Sequence, residues 1–135
     1  MNDNHIVVLD TDIIIDYLVG KKDTRKAVLG LLFQEKTLST TVINMSELIR
    51  GIIRRKWEQQ RKAQLQSFLD NLVVINYDQS AASLIGDLLA QLDIQGKPIG
   101  FADTAIAGLC LSKKASLLTN NVKHFSIVLN LTLHD

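Results

Sequence analysis

Near its beginning the chain reads Ile6-Val7-Val8-Leu9-Asp10-Thr11-Asp12-Ile13-Ile14-Ile15-Asp16. The four apolar residues at 6–9 are typical of a strand that is buried on both faces, as in a parallel sheet. An ionised carboxylate directly after such a strand is costly unless it faces solvent, a partner or a metal. Because ligands of open α/β sheets bind beyond the carboxyl ends of the strands, Asp10 is a candidate site residue. Alternatively, Asp10 or Asp12 only caps the helix that follows.

The length and composition of the chain indicate one domain, spanning 1–135, with a core of its own. Hydrophobic residues make up 47% and charged residues 21%, as is ordinary for globular proteins. Cys110 is the single cysteine, which excludes an internal disulfide and fits a reducing compartment. The sequence shows neither a signal peptide nor an apolar run long enough to span a bilayer, so we expect a cytoplasmic protein.

The charge of the chain is unevenly distributed. The formal net charge is only +1, so there is no global basic signature of nucleic-acid binding. Residues 50–62, however, carry six Lys and Arg residues against Glu58 alone, a net charge of +5 that leaves −4 on the rest. A local basic patch can attract phosphates even when the total charge is near zero. A solvated helix face is the alternative interpretation.

Apolar patterning predicts strands that alternate with helices over most of the chain. Strands are predicted at 6–9, 38–41, 72–75, 117–119 and 129–133. Helices are predicted at 13–18, 24–35, 44–56, 59–70 and 79–92, and within 98–115. This alternation indicates an α/β fold with a mainly parallel sheet of four to five strands.

Three acids occupy similar positions in this pattern. Asp10 ends the first strand, Glu47 lies near the start of the helix after the second strand, and Asp103 lies near the start of the helix before the fourth. Asn121 follows the fourth strand. In a parallel sheet these points share the carboxyl edge, and right-handed crossovers bring them toward one crevice. Alternatively, Glu47 is an exposed helix-start residue that pairs with Arg50, and Asp103 only caps its helix.

Carboxylates gathered this closely repel one another and are partly protonated unless a cation neutralises them. Oxygen ligands without His or Cys select a hard ion such as Mg²⁺ or Mn²⁺. Such an ion suits phosphodiester hydrolysis, because it lowers the pKa of a bound water and shields the phosphate under attack.

Four segments in order carry a resemblance to a known family. They are Val8-Leu9-Asp10-Thr11-Asp12, Ser39-Thr40-Thr41 leading to Ser46-Glu47-Leu48 with Gly51, Ile99-Gly100-Phe101-Ala102-Asp103-Thr104-Ala105-Ile106-Ala107, and Leu118-Thr119-Asn120-Asn121-Val122-Lys123-His124-Phe125. On these segments, over nearly its full length, the chain resembles the PIN domain family and in particular the VapC-type toxins of type II toxin–antitoxin systems. The resemblance implies a three-layer α/β/α fold and a metal-dependent endoribonuclease that uses Mg²⁺ or Mn²⁺. It also implies a homodimer that a cognate antitoxin inhibits.

The resemblance also implies which residues form the site. Asp10, Glu47 and Asp103 match the acidic positions of the family and are the expected metal ligands. Asn121 matches a further catalytic position at which some members have a fourth acid and others Asn. An Asn there adds no charge. Asp12 stands where the family more often has Asn or Ser, and we interpret it as a helix cap, with an extra ligand as the alternative.

Several residues near these acids have expected supporting roles. We expect Thr11 and Thr119 to orient the acids by hydrogen bonds. Arg50 and Arg54, on the Glu47 face of their helix, are expected to bind RNA phosphates or an acidic or C-terminal segment of the antitoxin. His124 is a possible general base, but nothing in the sequence places it in the crevice, so we interpret it as a structural polar residue beside Phe125.

Two other functions remain open at this point. Asp10-Thr11-Asp12 also resembles the nucleophile motif of phosphatases of the haloacid dehalogenase type. That motif usually continues to Thr or Val where this chain has Ile14, and Gly86-Asp87 lies inside a predicted helix instead of after a strand. The chain is also short for that fold. The second alternative is a PIN-like domain that binds RNA or protein without cutting, which the missing fourth acid makes conceivable.

Overall fold

The structure is a computed structural model that describes residues 5–134. It has a central sheet of four parallel strands between two layers of helices. The strands are β1 (Ile6–Leu9), β2 (Thr37–Thr41), β3 (Val73–Ile75) and β4 (Ser116–Leu118). The helices are α1 (Thr11–Leu18), α2 (Lys22–Phe33), α3 (Val42–Arg55), α4 (Gln59–Asp70), α5 (Gln79–Ile94), α6 (Phe101–Ser112) and α7 (Val122–Phe125). The predicted fold class is confirmed.

The strand order β3-β2-β1-β4 places β1 in the interior of the sheet. Val7 lies opposite Leu38 of β2 on one side and opposite Ser116 of β4 on the other, and both pairings are parallel. The carboxyl ends of these three strands therefore share one edge of the sheet. The chain segments that follow them, at 10–12, 42–47 and 119–121, begin at that edge.

Alternate side chains of β1 enter two different cores. Val8 packs with residues of α5 and α6, and the predicted core residue Cys110 lies in the same cluster. Val7 and Leu9 point to the opposite face and pack with residues of α1, α2 and α4. The side chains of Val7, Val8 and Leu9 are fully buried. The apolar run at 6–9 is thus explained by burial on both faces of the sheet.

Two expectations about local structure are wrong. The predicted strand at 129–133 is reduced to a single bridge between Leu117 and Leu133, because the chain turns before it and Asn130 adopts a left-handed conformation with φ +70°. Asp12 does not cap α1; the N-cap is Asp10, whose carboxylate accepts a hydrogen bond from the Thr11 N–H at 2.9 Å. Within residues 5–134, no helix has the length and apolar character needed to cross a membrane.

Helices α5 and α6 approach closely at Gly108. A Cβ atom at this position would lie 2.5 Å from Ile85 Cγ1 and 3.4 Å from Leu84 Cδ2. Helix packing therefore requires the absence of a side chain here.

We expect Gly108→Ala to lower the free energy of unfolding by about 1–3 kcal/mol, the usual cost of overpacking a core. This loss outweighs the higher helix propensity of alanine. The matched control is Gly86→Ala on α5, where a Cβ would meet nothing within 4 Å. Urea denaturation should show a lower midpoint for the first variant only, and equal midpoints for both would contradict the packing account.

Candidate active site

A cleft of about 520 Å³ opens at the carboxyl edge of the sheet. It contains four carboxylates and three guanidinium groups, which come from three separate parts of the chain, and a fourth part contributes an amide. The lining residues are Asp10, Thr11, Asp12, Glu47, Arg50, Gly51, Arg54, Arg55, Asp103 and Asn121. The structure therefore brings together the three acids and Asn121 that the sequence pattern pointed to.

The carboxylate of Asp10 is buried and is held by donors from three directions. Oδ1 accepts hydrogen bonds from the Thr11 N–H at 2.9 Å and from the Asn44 side-chain amide at 3.0 Å. Oδ2 accepts a hydrogen bond from the Thr119 hydroxyl at 2.6 Å. Since these donors belong to α1, α3 and the segment after β4, the position of this carboxylate is tied to three elements of the fold.

Asn44 links the first acid to α3. Its amide nitrogen also contacts the Thr11 hydroxyl at 3.0 Å, and its Oδ1 accepts a hydrogen bond from the Thr41 hydroxyl at 2.7 Å. Thr41 is the N-cap of α3, so Asn44 is not the cap that the sequence left possible. Its fully buried amide is a site residue that sequence reasoning missed. The available signal was its place one turn before Glu47, on the same helix face.

Glu47 faces the cleft and is half-buried. Its Oε1 accepts a hydrogen bond from the Thr11 hydroxyl at 2.7 Å. Among residues 5–134, no ion pair joins Glu47 to Arg50, so the alternative of an exposed, arginine-paired glutamate is wrong. The same threonine thus contacts Asn44 and Glu47, and it couples the first two acids of the site.

Asp103 lies in the first turn of α6, after the N-cap Gly100. Its Oδ2 is 2.7 Å from Nδ1 of His124 on α7. The Asn121 side-chain amide lies 3.1 Å from the same nitrogen. Because one ring nitrogen cannot donate and accept at once, we assign its proton to the shorter contact, with Nδ1–H donating to Asp103. His124 lies beside Phe125, as the sequence analysis expected, and in addition contacts one of the site acids.

Burial raises the pKa of two of the acids. For Asp10 this effect is opposed by the hydrogen bonds from Thr119 and Thr11, and it is reinforced by the neighbouring carboxylates of the cleft. Burial likewise raises the pKa of Glu47, against the hydrogen bond from Thr11 and together with the charges of the other acids. The cleft therefore disfavours its own negative charges when no cation is present.

The donor set fits a hard divalent cation. The cleft offers carboxylate oxygens and an amide, whereas thiolate ligands are absent from its lining. In the part of the chain that the structure describes, no three acidic, histidine or cysteine side chains are grouped tightly enough to form a ready-made cluster. The fit to Mg²⁺ rests on the oxygen ligands of the cleft alone, since this ion commonly keeps several waters and takes few direct carboxylate ligands.

Two further residues complete the expected set. Asn121 follows β4, and its backbone N–H donates to the Thr119 hydroxyl at 3.0 Å. That contact leaves the hydroxyl proton of Thr119 directed at Asp10. Asp12 is exposed in the first turn of α1 and adds a fourth carboxylate to the cleft.

The arginines of the cleft all lie on α3. Arg50 and Arg54 are exposed and stand one turn apart, as expected from their spacing. Arg55, which the sequence analysis did not single out, also lines the cleft. These groups give the cleft positive charge beside its carboxylates.

The comparisons with known proteins agree with this arrangement. A model of the PIN domain matches residues 7–128. The chain is 31% identical over 130 residues to Ribonuclease VapC2 of Rickettsia felis, covering 96% of this chain and 97% of that one. It is 30% identical over 128 residues to the tRNA(fMet)-specific endonuclease VapC of Shigella flexneri, covering 95% and 96%.

A solved crystal structure supports the same family. VapBC2 from Rickettsia felis, bound to a DNA fragment from its promoter, superposes with a TM-score of 0.85 at 30% identity. The match covers 96% of this chain and 97% of the other. These findings leave no place for a phosphatase of the haloacid dehalogenase type, and Gly86-Asp87 indeed lies within α5. The family resemblance drawn from the sequence is confirmed: the chain belongs to the PIN domain family.

Proposed function

We propose that the chain is the toxin of a type II toxin–antitoxin pair and acts as a metal-dependent endoribonuclease on RNA phosphodiester bonds. One observation carries the proposal: four carboxylates and three guanidinium groups line the same cleft. Carboxylates suit a metal-assisted hydrolysis, and guanidinium groups suit the phosphates of the substrate strand. The ribonuclease and endonuclease names of the relatives support the same reaction class.

The proposed cofactor is Mg²⁺ or Mn²⁺. Asp10, Glu47 and Asp103 would hold the ion, partly through water, and Asp12 lies close enough to the cleft to add charge. When bound, the ion supplies Lewis acidity at the phosphate and lowers the pKa of water. Binding would also relieve the repulsion that raises the pKa of Asp10 and Glu47.

The remaining side chains hold these acids in place. Asn44 and Thr119 fix the two oxygens of Asp10, and Thr11 fixes Glu47. His124 donates to Asp103. Residues that hydrogen-bond to metal ligands orient them and typically affect metal affinity or activity strongly. Asn121 adds an uncharged amide that can orient water within the cleft.

Arg50 and Arg54 are proposed to bind phosphates on either side of the cleavage point. Their place on the Glu47 face of α3, inside the cleft, supports this role. The alternative ligand for these arginines is an acidic or C-terminal segment of a cognate antitoxin. The VapBC2 complex from Rickettsia felis supports such a partner. We also propose a homodimer, for which the exposed apolar side chains Leu29 and Phe33 of α2 offer a surface.

A direct test combines two substrates. The purified chain, free of antitoxin, is incubated with single-stranded RNA in Mg²⁺ and in EDTA, and in parallel with a small phosphomonoester. The proposal expects RNA cleavage in Mg²⁺ only and no hydrolysis of the phosphomonoester. Phosphomonoester hydrolysis with intact RNA would overturn it.

Thr119→Val tests the support of Asp10. Valine keeps the shape but removes the hydroxyl that donates to Oδ2 and accepts from the Asn121 N–H. We expect RNA cleavage to fall by about 10- to 100-fold, the range found for residues that orient metal ligands. The matched control is Thr37→Val. Thr37 is exposed at the amino end of β2, at the edge of the sheet opposite the cleft. Equal cleavage rates in the two folded variants would contradict the role of the hydroxyl.

A further inference from the structure

Gly51 lies in the middle of α3, where a glycine needs an explanation. It has none of the positive φ angles that favour glycine. Glycine inside a helix costs about 1 kcal/mol relative to alanine. A Cβ at this position would make only an ordinary contact with the core, 3.7 Å from Ile15 Cδ1. Neither the backbone nor the packing of α3 therefore requires glycine, in contrast to Gly108 on α6.

The group that would collide with a side chain at position 51 is the guanidinium of Arg55. Its guanidinium folds back over one turn of the helix, with Nη1 3.5 Å from the Gly51 carbonyl oxygen. A Cβ at Gly51 would lie 2.9 Å from the same nitrogen, closer than real Cβ atoms come. A side chain at this position would therefore require the guanidinium to shift from the place that it occupies here.

Arg55 is free to bind an anion from the cleft. It lines the cleft together with Asp10, Glu47 and Asp103. In the described part of the chain it forms no ion pair with any carboxylate, so it does not serve to neutralise the acids directly. A guanidinium that faces a cleft without a carboxylate partner is well suited to a phosphate, which accepts its forked N–H donors.

We propose that the absence of a side chain at Gly51 allows the guanidinium of Arg55 to lie at the cleft, where it binds a backbone phosphate of the RNA strand. This inference rests on the proposed ribonuclease function and deepens it. It adds a third arginine to Arg50 and Arg54, and it gives the glycine a positioning role. Three successive cationic contacts along α3 fit a single-stranded segment that enters the acidic end of the cleft.

The test measures RNA affinity in five variants made in the Asp103→Asn background, which prevents cleavage during the measurement. Arg55→Gln and Gly51→Ala are compared singly and together, with Lys97→Gln and Gly86→Ala as controls. Lys97 is exposed outside the cleft, and a Cβ at Gly86 would meet nothing within 4 Å. The probe is a fluorescent single-stranded RNA titrated at several salt concentrations.

We expect Arg55→Gln to weaken RNA binding about tenfold, as for the loss of one hydrogen bond to a charged group. The salt dependence, log K against log salt, should become shallower by about 0.7, the value for one contact with a single strand. Gly51→Ala should produce the same loss although Arg55 is still present, and its thermal midpoint should not fall. The double variant should bind as weakly as either single one, and both controls should bind normally.

Two results would overturn this inference without affecting the proposed ribonuclease function. Unchanged affinity and salt dependence in Arg55→Gln would exclude a phosphate contact, and normal binding by Gly51→Ala beside a weakened Arg55→Gln would exclude the positioning role. The native chain, assayed in parallel with Mg²⁺, separates these outcomes from failure of the proposed function. If it cuts no RNA, the proposed function falls and the inference falls with it.

Discussion

The Asp103→Asn variant is expected to cleave RNA more than about 100-fold more slowly than the native chain, with its fold unchanged. Losing a residue that merely orients a metal ligand already costs about 10- to 100-fold, so losing the charge of a proposed ligand should cost more. Asparagine keeps nearly the same shape, and its carbonyl oxygen can still accept the hydrogen bond that His124 donates at 2.7 Å. The change therefore removes the negative charge and little else.

A matched control separates this effect from a general loss of acidity. Asp93 is an exposed aspartate on α5 outside the cleft, and Asp93→Asn should cleave RNA at the native rate. Thermal unfolding of both variants checks that the fold is retained. Full activity of folded Asp103→Asn would contradict the shared-metal site.

The second large effect is expected at Asp10, where activity and stability should change in opposite directions. Asp10→Asn should reduce cleavage by more than about 100-fold, for the same reason as above. In EDTA at pH 7, however, the variant should unfold at a higher temperature than the native chain. Since about 1 kcal/mol shifts the midpoint by roughly 4 °C for a chain of this size, even a small gain in stability is measurable.

The pH dependence of stability explains why Asp10→Asn should be more stable than the metal-free native chain. Burial raises the pKa of Asp10 above its ordinary value of 3.8, so the folded chain binds the proton more tightly than the unfolded chain does. The stability of the metal-free native chain therefore falls as the pH rises from about that value through the raised folded pKa, and the loss persists at neutral pH. The side chain of Asp10→Asn does not ionise. The difference in stability between the variant and the native chain should therefore grow as the pH rises through this range, and it should disappear at low pH.

The hydrogen bonds of the site permit this substitution. In Asp10→Asn, the amide oxygen of the new side chain can accept from Thr11 and Asn44 as the carboxylate does. The amide nitrogen would then face Thr119, whose hydroxyl can accept as well as donate. Addition of Mg²⁺ should stabilise the native chain against heat and leave the variant unchanged. A variant midpoint below the native one at pH 7 in EDTA would contradict burial as the source of the raised pKa.

The sequence predicted those parts of the fold that depend on local patterns. The apolar run at 6–9 forms β1, and the predicted helix at 59–70 has the observed bounds of α4. The predicted strand at 129–133 fails because its apolar residues follow a turn through Asn130, whose left-handed conformation no apolar pattern reveals. Because Asp10 already caps α1 from the end of β1, Asp12 falls inside the first turn.

The acids of the candidate site and two of the residues that support them, Thr11 and Thr119, could be predicted from the sequence. Asp10, Glu47 and Asp103 could be placed together because strand ends in a parallel sheet share an edge. Asn44 and His124 could not, since each acts through a contact with a residue 34 or 21 positions away in the chain. Such contacts depend on how α3 and α7 pack against the sheet edge, and the one available sequence signal was the place of Asn44 one turn before Glu47. Arg55 was not singled out for the same reason, because its guanidinium reaches the cleft by folding back over one turn of α3 toward Gly51.

The most direct test of the metal-dependent ribonuclease is the cleavage of a mixed cellular RNA pool by the antitoxin-free chain. The reaction is run in Mg²⁺, in Mn²⁺ and in EDTA, beside the Asp103→Asn variant. We predict discrete cuts with either metal, and none in EDTA or with the variant. The positions of the cuts would identify the RNA target. A folded chain that makes no cuts with either metal, or that cuts equally well in EDTA, would contradict the proposed function.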